Sequence, residues 1–281
     1  MKRFLGAALV CVMAISAVGC GGSADSDTAA ENTDTAAEAE AEEDTEAEAE
    51  EITKLVVGLD DTFAPMGFRD EAGELMGFDI DLANAVGELK GWEVEFQPID
   101  WDTKEVELET GKIDVIWNGF SYTDERNENM TLSAPYLDNA QIIIVPTDSE
   151  INSKADLAGK VIGLQDESSA ADAVEADEMA SEIGEIVTYD TNVNAFTDLG
   201  IGGRIDAVVA DEVAAKYYIE TSGADFRVLD DDFGSEVYVI AAKLGNTNLM
   251  DQLEEALTEL GENGTAAEIS EKWFGDNIYT H

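Results

Sequence analysis

Two stretches of the chain share a pattern that places polar side chains at the ends of buried strands. Residues 111–116 (GKIDVI) and 203–208 (GRIDAV) each predict a helix-ending glycine, a turn and a strand. The first strand leads into residues 118–121 (NGFS), and the second leads into Asp211. Open α/β sheets bind ligands at the carboxyl ends of their strands. These polar groups therefore predict a binding cleft between two lobes.

Other chemistries are excluded because the residue types that they need are scarce. The chain has one histidine, His281, so histidine acid–base catalysis and histidine-ligated metal sites are not expected. Cys11 lies in a predicted leader and Cys20 is predicted to be acylated, which excludes disulfides and thiol nucleophiles. The acidic triplet 230–232 lacks the alternating ligand spacing of a calcium loop. We expect no catalytic residue, no metal and no cofactor.

Acidic residues dominate the composition. Asp and Glu number 63 against 15 Lys and Arg, which gives a formal net charge of -48 at pH 7. Such a surface repels nucleic acid and anionic lipid headgroups. Nucleic acid is therefore not an expected partner.

Residues 1–19 have the form of a bacterial lipoprotein signal. A basic start precedes residues 4–18, an apolar stretch that is too short to span a bilayer comfortably. Cys20 follows small residues and precedes Gly21-Gly22-Ser23, which leaves its thiol open to acylation. We predict that the leader is removed and that a lipid on Cys20, such as palmitate, anchors the protein to the outer face of the cell membrane.

Residues 20–51 are predicted to form an acidic, disordered tether behind the lipid-acceptor cysteine. From Ala24 to Glu51 the sequence holds thirteen Asp or Glu, no Lys or Arg, and almost no large apolar residue. Such a segment buries too little surface to offset its ordering entropy, and like charges four residues apart oppose a helix. The segment is interpreted as a solvated spacer before a folded body, residues 52–281.

The folded body alternates predicted strands with predicted helices. One amphipathic segment predicts a helix capped by Asp79, and a second predicts a helix that ends before Gly261. The alternation predicts an α/β fold with largely parallel sheets. Strands are predicted at the β-branched runs Leu55–Leu59, Val94–Phe96, Ile113–Trp117, Gln141–Val145, Val161–Leu164, Ile186–Tyr189, Ala207–Ala210 and Val237–Ala242.

Seven short motifs follow one another along residues 52–274. The strongest, GFDIDL at residues 77–82, is similar to the signature G-[FY]-D-[IV]-D-[LIVM] of the family 3 extracellular solute-binding proteins. That family serves the uptake of polar amino acids by ABC transporters, and the chain resembles it over almost the whole body. The other six motifs lie in the expected order at residues 57–65, 111–114, 121–126, 135–136, 156–160 and 264–274.

The resemblance implies a two-lobed, periplasmic-binding-protein-like fold of type II. Lobe 1 would be discontinuous, with residues 52–142 plus 239–281, and lobe 2 would span residues 143–238. Two extended crossings, near residues 141–145 and 236–239, would form a two-strand hinge. Both crossings are β-rich and lack glycine, so bending should be confined to few residues.

A bound amino acid requires one cation and one anion from the protein, because an unpaired buried ion is very costly. The mature chain offers four arginines: Arg69, Arg126, Arg204 and Arg227. The resemblance implies that Arg126 clamps the ligand carboxylate, for which a two-pronged guanidinium is well suited, and that Asp211 receives the ligand ammonium. Otherwise Arg126 would be a surface residue and Asp211 a helix cap.

The resemblance also implies further ligand contacts. Ser168 and Ser169 begin a predicted helix, and helix starts attract anions. Glu167 stands where the family pattern has glycine, so either its side chain points away or the local loop differs. The complete predicted binding set is Asp60, Phe63, Trp101, Asn118, Gly119, Ser121, Arg126, Ser168, Ser169 and Asp211.

The residues implied for the side-chain pocket leave the substrate open. Phe63 and Trp101 would line this pocket, or else pack in the core. Asp60 would favour a cationic amino acid, whereas Asn118 and Trp101 fit an amide or a sulfur-containing one equally well.

The predicted function is the capture of a free amino acid by a monomer and its delivery to an ABC permease and its ATPase, with no chemical step. One alternative is a sensory amino-acid-binding subunit. The other is an enzyme similar to cyclohexadienyl dehydratases, with Glu167 and Asp60 as potential general acids.

Overall fold

The computed structural model describes residues 51–201 and 203–281. The predicted leader, Cys20 and all of the predicted tether except Glu51 lie outside the described residues. Within the described residues no helix has both the length and the apolar character that a membrane crossing requires.

Twelve strands are present in the described residues. Each of the eight strands predicted from β-branched runs overlaps one of them, so these predictions are confirmed. In chain order the strands are β1 (Lys54–Leu59), β2 (Thr62–Phe63), β3 (Gly67–Arg69), β4 (Leu75–Met76), β5 (Glu93–Pro98), β6 (Val115–Ser121), β7 (Met130–Leu132), β8 (Leu137–Pro146), β9 (Val161–Gln165), β10 (Glu185–Tyr189), β11 (Ala207–Asp211) and β12 (Phe226–Lys243).

Helices separate most of these strands, which confirms the predicted α/β class. They are α1 (Phe78–Lys90), α2 (Lys104–Glu109), α3 (Asp124–Asn129), α4 (Ser169–Ala176), α5 (Asn192–Ile201), α6 (Glu212–Ser222), α7 (Thr247–Glu262) and α8 (Thr265–Phe274).

The main sheet is mixed, with the order β10-β9-β11-β8-β12-β6-β1-β5, and β7 pairs with β12. Strand β1 is parallel to β5 and β6, and β9 is parallel to β10 and β11. Between these two parallel sets, β8 and β12 are antiparallel to each other and to the neighbouring strands β11 and β6. The prediction of largely parallel sheets therefore holds for the two ends and fails in the middle, where two long strands cross in opposite directions.

The buried apolar residues form four clusters, which fall into two groups. Two clusters contain residues of β6, and one of them joins β1, α1 and α7; the other two contain residues of β11, with β9 and α4 in one and α5 in the other. Both long strands contribute to both groups: Leu137 and Tyr238 pack in the first, while Ile143 and Leu229 pack in the second. This division agrees with a two-lobed body, and the lobe bounds near residues 142 and 239 stay a prediction.

Two predicted helix ends are wrong. Helix α1 follows Gly77 and has no side-chain cap. The main-chain N–H groups of Phe78 and Asp79 already donate to the carbonyl oxygens of Pro65 and Met66, at 2.8 and 2.9 Å. The Asp79 carboxylate is therefore free to turn into the core.

Helix α7 was predicted to end before Gly261. It continues through this glycine to Glu262, and the left-handed conformation that ends the segment belongs to Gly264, with φ of 87°.

The aspartates of the two repeated stretches, Asp114 and Asp206, bind the main chain of a neighbouring strand. Asp114 accepts a hydrogen bond from the Val56 N–H at 2.7 Å, and Asp206 accepts one from the Val161 N–H at 2.9 Å. Each carboxylate thus ties the start of one strand to its parallel neighbour, and the polar residues at the strand ends remain available for a ligand.

Candidate functional site

A cavity lies where strands from both parallel sets end. Asp60 follows β1, residues 118–121 end β6, Gln165 ends β9, and Asp211 ends β11. All ten predicted binding residues line this one cavity, together with Gln165, which was not predicted. The lining comprises Asp60, Phe63, Trp101, Asn118, Gly119, Ser121, Arg126, Gln165, Ser168, Ser169 and Asp211.

Arg126 reaches the cavity from the short helix α3, whose cap Thr123 accepts a hydrogen bond from the Arg126 N–H at 3.1 Å. The side chain is buried, and its Cζ lies 4.2 Å from the centre of the Phe120 ring. Its Nη1 donates to the Ser121 carbonyl oxygen at 2.7 Å. It forms no ion pair with any carboxylate of the described residues. Arg126 is therefore a buried cation rather than a surface residue.

The first turn of α4 lies beside the same cavity. Ser168 caps this helix, since its Oγ accepts from the Ala171 N–H at 3.4 Å, and the same Oγ donates to the Gln165 carbonyl oxygen at 2.7 Å. Ser169 Oγ lies 2.9 Å from Ser121 Oγ at the end of β6. A helix start and a guanidinium therefore border one space, and both attract a carboxylate.

Asp211 supplies a buried carboxyl group from the end of β11. Its Oδ1 accepts hydrogen bonds from Asn139 Nδ2 at 2.7 Å, Gln141 Nε2 at 3.0 Å and the Tyr238 hydroxyl at 2.8 Å. It makes no capping bond to α6, so the alternative of a simple helix cap is wrong. Burial, and next the charge of Glu236, raise the pKa of this carboxyl to about 8.

Sequence reasoning missed the residues that hold the Asp211 carboxylate. Asn139 and Gln141 project from β8, while Glu236 and Tyr238 project from β12. They lie within strands rather than at strand ends, and so the strand-end rule does not find them. Gln165, by contrast, is the last residue of β9 and fits that rule.

Asp60 lies at another part of the cavity and is held by neutral donors. Its Oδ1 accepts from the N–H and the hydroxyl of Thr62, at 2.9 and 2.6 Å, and its Oδ2 accepts from Gln165 Nε2 at 3.0 Å. Asn192 Nδ2 donates to Gln165 Oε1 at 2.9 Å and fixes the orientation of that amide. Burial raises the pKa of Asp60 above its ordinary value.

The remaining residues that line the cavity contribute two aromatic rings, the main chain of a glycine and one amide side chain. Phe63 is buried and Trp101 is half-buried, with its ring centre 6.1 Å from that of Phe120. Gly119 has φ of 57°, and a Cβ atom at this position would lie 2.8 Å from Phe63 Cε1. The Asn118 Oδ1 accepts from the Asp60 N–H at 3.0 Å, which joins the ends of β6 and β1.

Glu167 does not line the cavity, and its side chain is exposed. Its φ of 51° lies in the left-handed region, which explains why a glycine suits this position. Its carbonyl oxygen accepts a hydrogen bond from Lys104 Nζ at 2.9 Å. Glu167 therefore points away from the anion site, and one of the two reasons for the dehydratase alternative is lost.

Lys104 is a buried lysine that sequence reasoning did not single out. Its Nζ lies 5.2 Å from the centre of the Trp101 ring, and burial, with the like charge of Arg126, lowers its pKa to about 8. The contact with Glu167 joins α2 to the loop between β9 and α4.

A second, larger cavity shares Asp60 and Trp101 with the first. Six of its ten lining residues are aspartates, and the lining has no Lys or Arg. They are Asp60, Asp61, Thr62, Ile99, Asp100, Trp101, Asp102, Asp166, Asp190 and Thr191.

The sequence profile of the bacterial extracellular solute-binding proteins, family 3, matches residues 55–276. This chain belongs to that family. The resemblance found from the seven motifs is thereby confirmed over nearly the whole folded body.

Individual family members are 29% to 30% identical to this chain over the aligned residues. The L-cystine-binding protein TcyJ of Escherichia coli (strain K12) is 29% identical over 226 residues, which are 80% of this chain and 84% of that protein. ABC transporter arginine-binding protein 1 of the same strain is 30% identical over 225 residues, or 79% and 90% of the two chains.

A crystal structure supports the two-lobed fold. The substrate-binding protein of an ABC uptake transporter from Streptococcus pneumoniae, solved with bound histidine, aligns with a TM-score of 0.79 and 39% sequence identity. The alignment covers 81% of this chain and 95% of that chain.

Proposed function

We propose that this protein captures a free amino acid in the cavity between Arg126 and Asp211 and delivers it to an ABC permease, without converting it. One observation carries the proposal: a buried guanidinium on α3, which follows β6, and a buried carboxyl group at the end of β11 line the same cavity.

Two groups that line the cavity, the Arg126 guanidinium and the Asp211 carboxyl group, match the two charges of a free amino acid. The ligand carboxylate would bind the Arg126 guanidinium and the first turn of α4, and the ligand ammonium would bind Asp211. Charge-assisted hydrogen bonds contribute roughly 1.5 to 3 kcal/mol each. Only a molecule that carries both charges can pair with both the Arg126 guanidinium and the Asp211 carboxyl group. The arrangement therefore favours amino acids over simple acids or amines.

Three classes of ligand fit the cavity: cationic amino acids, amino acids with an amide side chain, and amino acids that contain sulfur. Relatives bind arginine, histidine and cystine according to their names. The buried Asp60 favours a cationic side chain, whereas the Gln165 and Asn118 amides favour a neutral polar one. A thermal-shift screen of the standard amino acids, ornithine and cystine separates these classes, because a ligand at about 100 times its Kd adds about 2.7 kcal/mol of stability.

The decisive experiment measures the affinity of Arg126→Ala for the best ligand of that screen by calorimetry. We expect the affinity to fall at least tenfold, which corresponds to about 1.4 kcal/mol or more. Arg204→Ala is the matched control, because Arg204 is exposed and pairs with Asp198 away from the cavity. Unchanged binding by Arg126→Ala would overturn the proposed clamp.

The proposed mechanism of delivery is closure of the two lobes about β8 and β12. A ligand that touches both lobes stabilises the closed form through contacts that exist only there. The closed form would then dock on the permease as a monomer. Chromatography with light scattering, with and without the ligand, tests the monomeric state.

We also propose that the protein acts outside the cell membrane, to which a lipid on Cys20 anchors it. The leader-like residues 1–19 and the small residues around Cys20 support this. Metabolic labelling with an alkyne fatty acid should mark the full chain and not its Cys20→Ser variant. A label that persists in that variant would refute the assignment.

A further inference from the structure

Glu236 of β12 lies immediately behind the proposed ammonium site. Its Oε1 accepts hydrogen bonds from Ser121 Oγ at 2.7 Å, Asn139 Nδ2 at 2.6 Å and Gln141 Nε2 at 2.9 Å. The residue is half-buried. None of these three donors carries a positive charge.

Two of the donors that hold Glu236 also hold Asp211. Asn139 Nδ2 and Gln141 Nε2 lie 2.7 and 3.0 Å from Asp211 Oδ1. Each amide nitrogen carries two hydrogens, so each can serve both carboxylates at once. Two acidic groups are thereby held next to each other by shared neutral donors.

The charged and titratable groups around this pair are few. From β12, the Tyr238 hydroxyl donates to Asp211 Oδ1 at 2.8 Å, and from α3 the Arg126 guanidinium attracts both carboxylates without forming an ion pair with either. From lobe 1, Tyr136 packs against the Tyr238 ring, with the ring centres 6.3 Å apart. No lysine, arginine or histidine of the described residues forms an ion pair with the two acids.

A buried carboxyl group that lies next to a second acid and has no ion-pair partner does not ionise readily, because each charge opposes the other where water screens them poorly. Asp211 therefore keeps its proton more readily than an isolated carboxyl group does. Burial and the charge of Glu236 both raise the pKa of Asp211, in agreement with this arrangement.

We propose that Asp211, held beside Glu236, keeps a proton in the ligand-free protein, and that the ammonium of the captured amino acid displaces this proton into solvent. The inference rests on the proposed function. No covalent bond of the ligand changes: the carboxyl O–H gives its proton to water or buffer, and the carboxylate accepts N–H donors from the ammonium in its place. Glu236 is a positioning residue here, since it acts through Asp211.

The exchange makes affinity depend on pH. Below the pKa of Asp211, the ligand competes with a proton, and the affinity is expected to fall by up to tenfold for each further pH unit. Above about pH 8, where Asp211 is ionised, the affinity is expected to level off.

Calorimetry in two buffers of different ionisation enthalpy counts the released protons. L-arginine is the first probe, because its side chain does not titrate in this range, and the best ligand of the screen replaces it if arginine does not bind. At about pH 6.5 we expect nearly one proton per bound ligand in the unmodified protein. Glu236→Gln keeps the size and a carbonyl acceptor but removes the opposing charge. It should bind with clearly fewer protons released and a flatter pH profile.

Glu212→Gln is the matched control, because Glu212 adjoins Asp211 in sequence but pairs with Lys216 on α6. Its proton count should equal that of the unmodified protein. Binding with no proton release at about pH 6.5, or an unchanged count in Glu236→Gln, overturns the inference and leaves the proposed function intact. Failure of every amino acid to bind refutes the proposed function, and the inference with it.

Discussion

The main-chain N–H of Gly119 donates to the Asp79 carboxylate at 2.7 Å. A glycine that lines the cavity is therefore held in place by the side chain of a buried acid. The Tyr136 hydroxyl donates to the same oxygen at 3.1 Å. Helix α1, which carries Asp79, and strand β6, which carries Gly119, are fixed to each other at this point.

Asp79→Asn should change how stability varies with pH. Burial raises the pKa of Asp79 from 3.8 to about 7. Between these values the folded protein keeps a proton that the unfolded chain releases, so stability falls as pH rises and levels off above about 7. Across this window the loss amounts to about 4 kcal/mol at most. Urea unfolding from pH 4 to pH 8 should show a shallower decline in the variant, and equal slopes would contradict the prediction.

Gly119→Ala should impair binding, because a methyl group would contact two aromatic rings, one of which, Phe63, lines the cavity. Besides the Phe63 contact at 2.8 Å, a Cβ atom would lie 3.1 Å from the Tyr238 ring. Gly91→Ala is the control: φ at Gly91 is 73°, but nothing lies within 4 Å of a Cβ atom there. Both variants should lose roughly 1 to 2 kcal/mol of stability from the left-handed backbone. Only Gly119→Ala should also weaken ligand binding, as calorimetry can test.

Glu167→Gly and Glu167→Ala should differ in stability in the reverse order of that found at positions with negative φ, where alanine is the more stabilising residue. Both remove an exposed side chain, but only glycine relieves the left-handed backbone at φ of 51°. We expect the glycine variant to be the more stable of the two by about 1 kcal/mol. Thermal or urea unfolding checks this, and a more stable alanine variant would argue against strain at this residue.

Lys104→Met should speed ligand release. Loss of the bond from Lys104 Nζ to the Glu167 carbonyl oxygen removes a contact between α2 and the start of α4, which close on the ligand in the proposed mechanism. A charged donor contributes about 1.5 to 3 kcal/mol, so dissociation should accelerate about tenfold or more. Stopped-flow tryptophan fluorescence measures the rate.

Lys243→Met is the matched control for that experiment. Lys243 Nζ donates to the Glu109 carbonyl oxygen at 2.8 Å, in the same chemical arrangement but far from the cavity lining. Its dissociation rate should match that of the unmodified protein. Equal rates in all three proteins would mean that the Lys104 contact does not hold the ligand-bound form.

Strand positions could be predicted from sequence because β-branched runs between helical stripes determine them locally. The strand-end rule pointed to Asn118, Ser121 and Asp211 from the sequence, and the same rule covers Gln165. The partners of Asp211 could not be found this way. Asn139 and Glu236 become neighbours only through the antiparallel register of β8 and β12, where they are 97 residues apart in the chain.

Asp79 shows how tertiary contacts override a local pattern. Its sequence context fits a helix cap, but the main-chain carbonyls of Pro65 and Met66 take over that role. No local propensity predicts this, because those carbonyls reach the helix start through the fold of the segment that precedes it.

The aspartates of the second cavity have a consequence for the conditions under which the protein works best. They produce a negative field next to the Asp60 end of the first cavity. Dissolved ions damp such a field beyond about 8 Å at 0.15 M ionic strength. The electrostatic attraction that favours binding of a positively charged nutrient would therefore be strongest in fresh water and weakest in brine. An uncharged nutrient would be bound equally well in both.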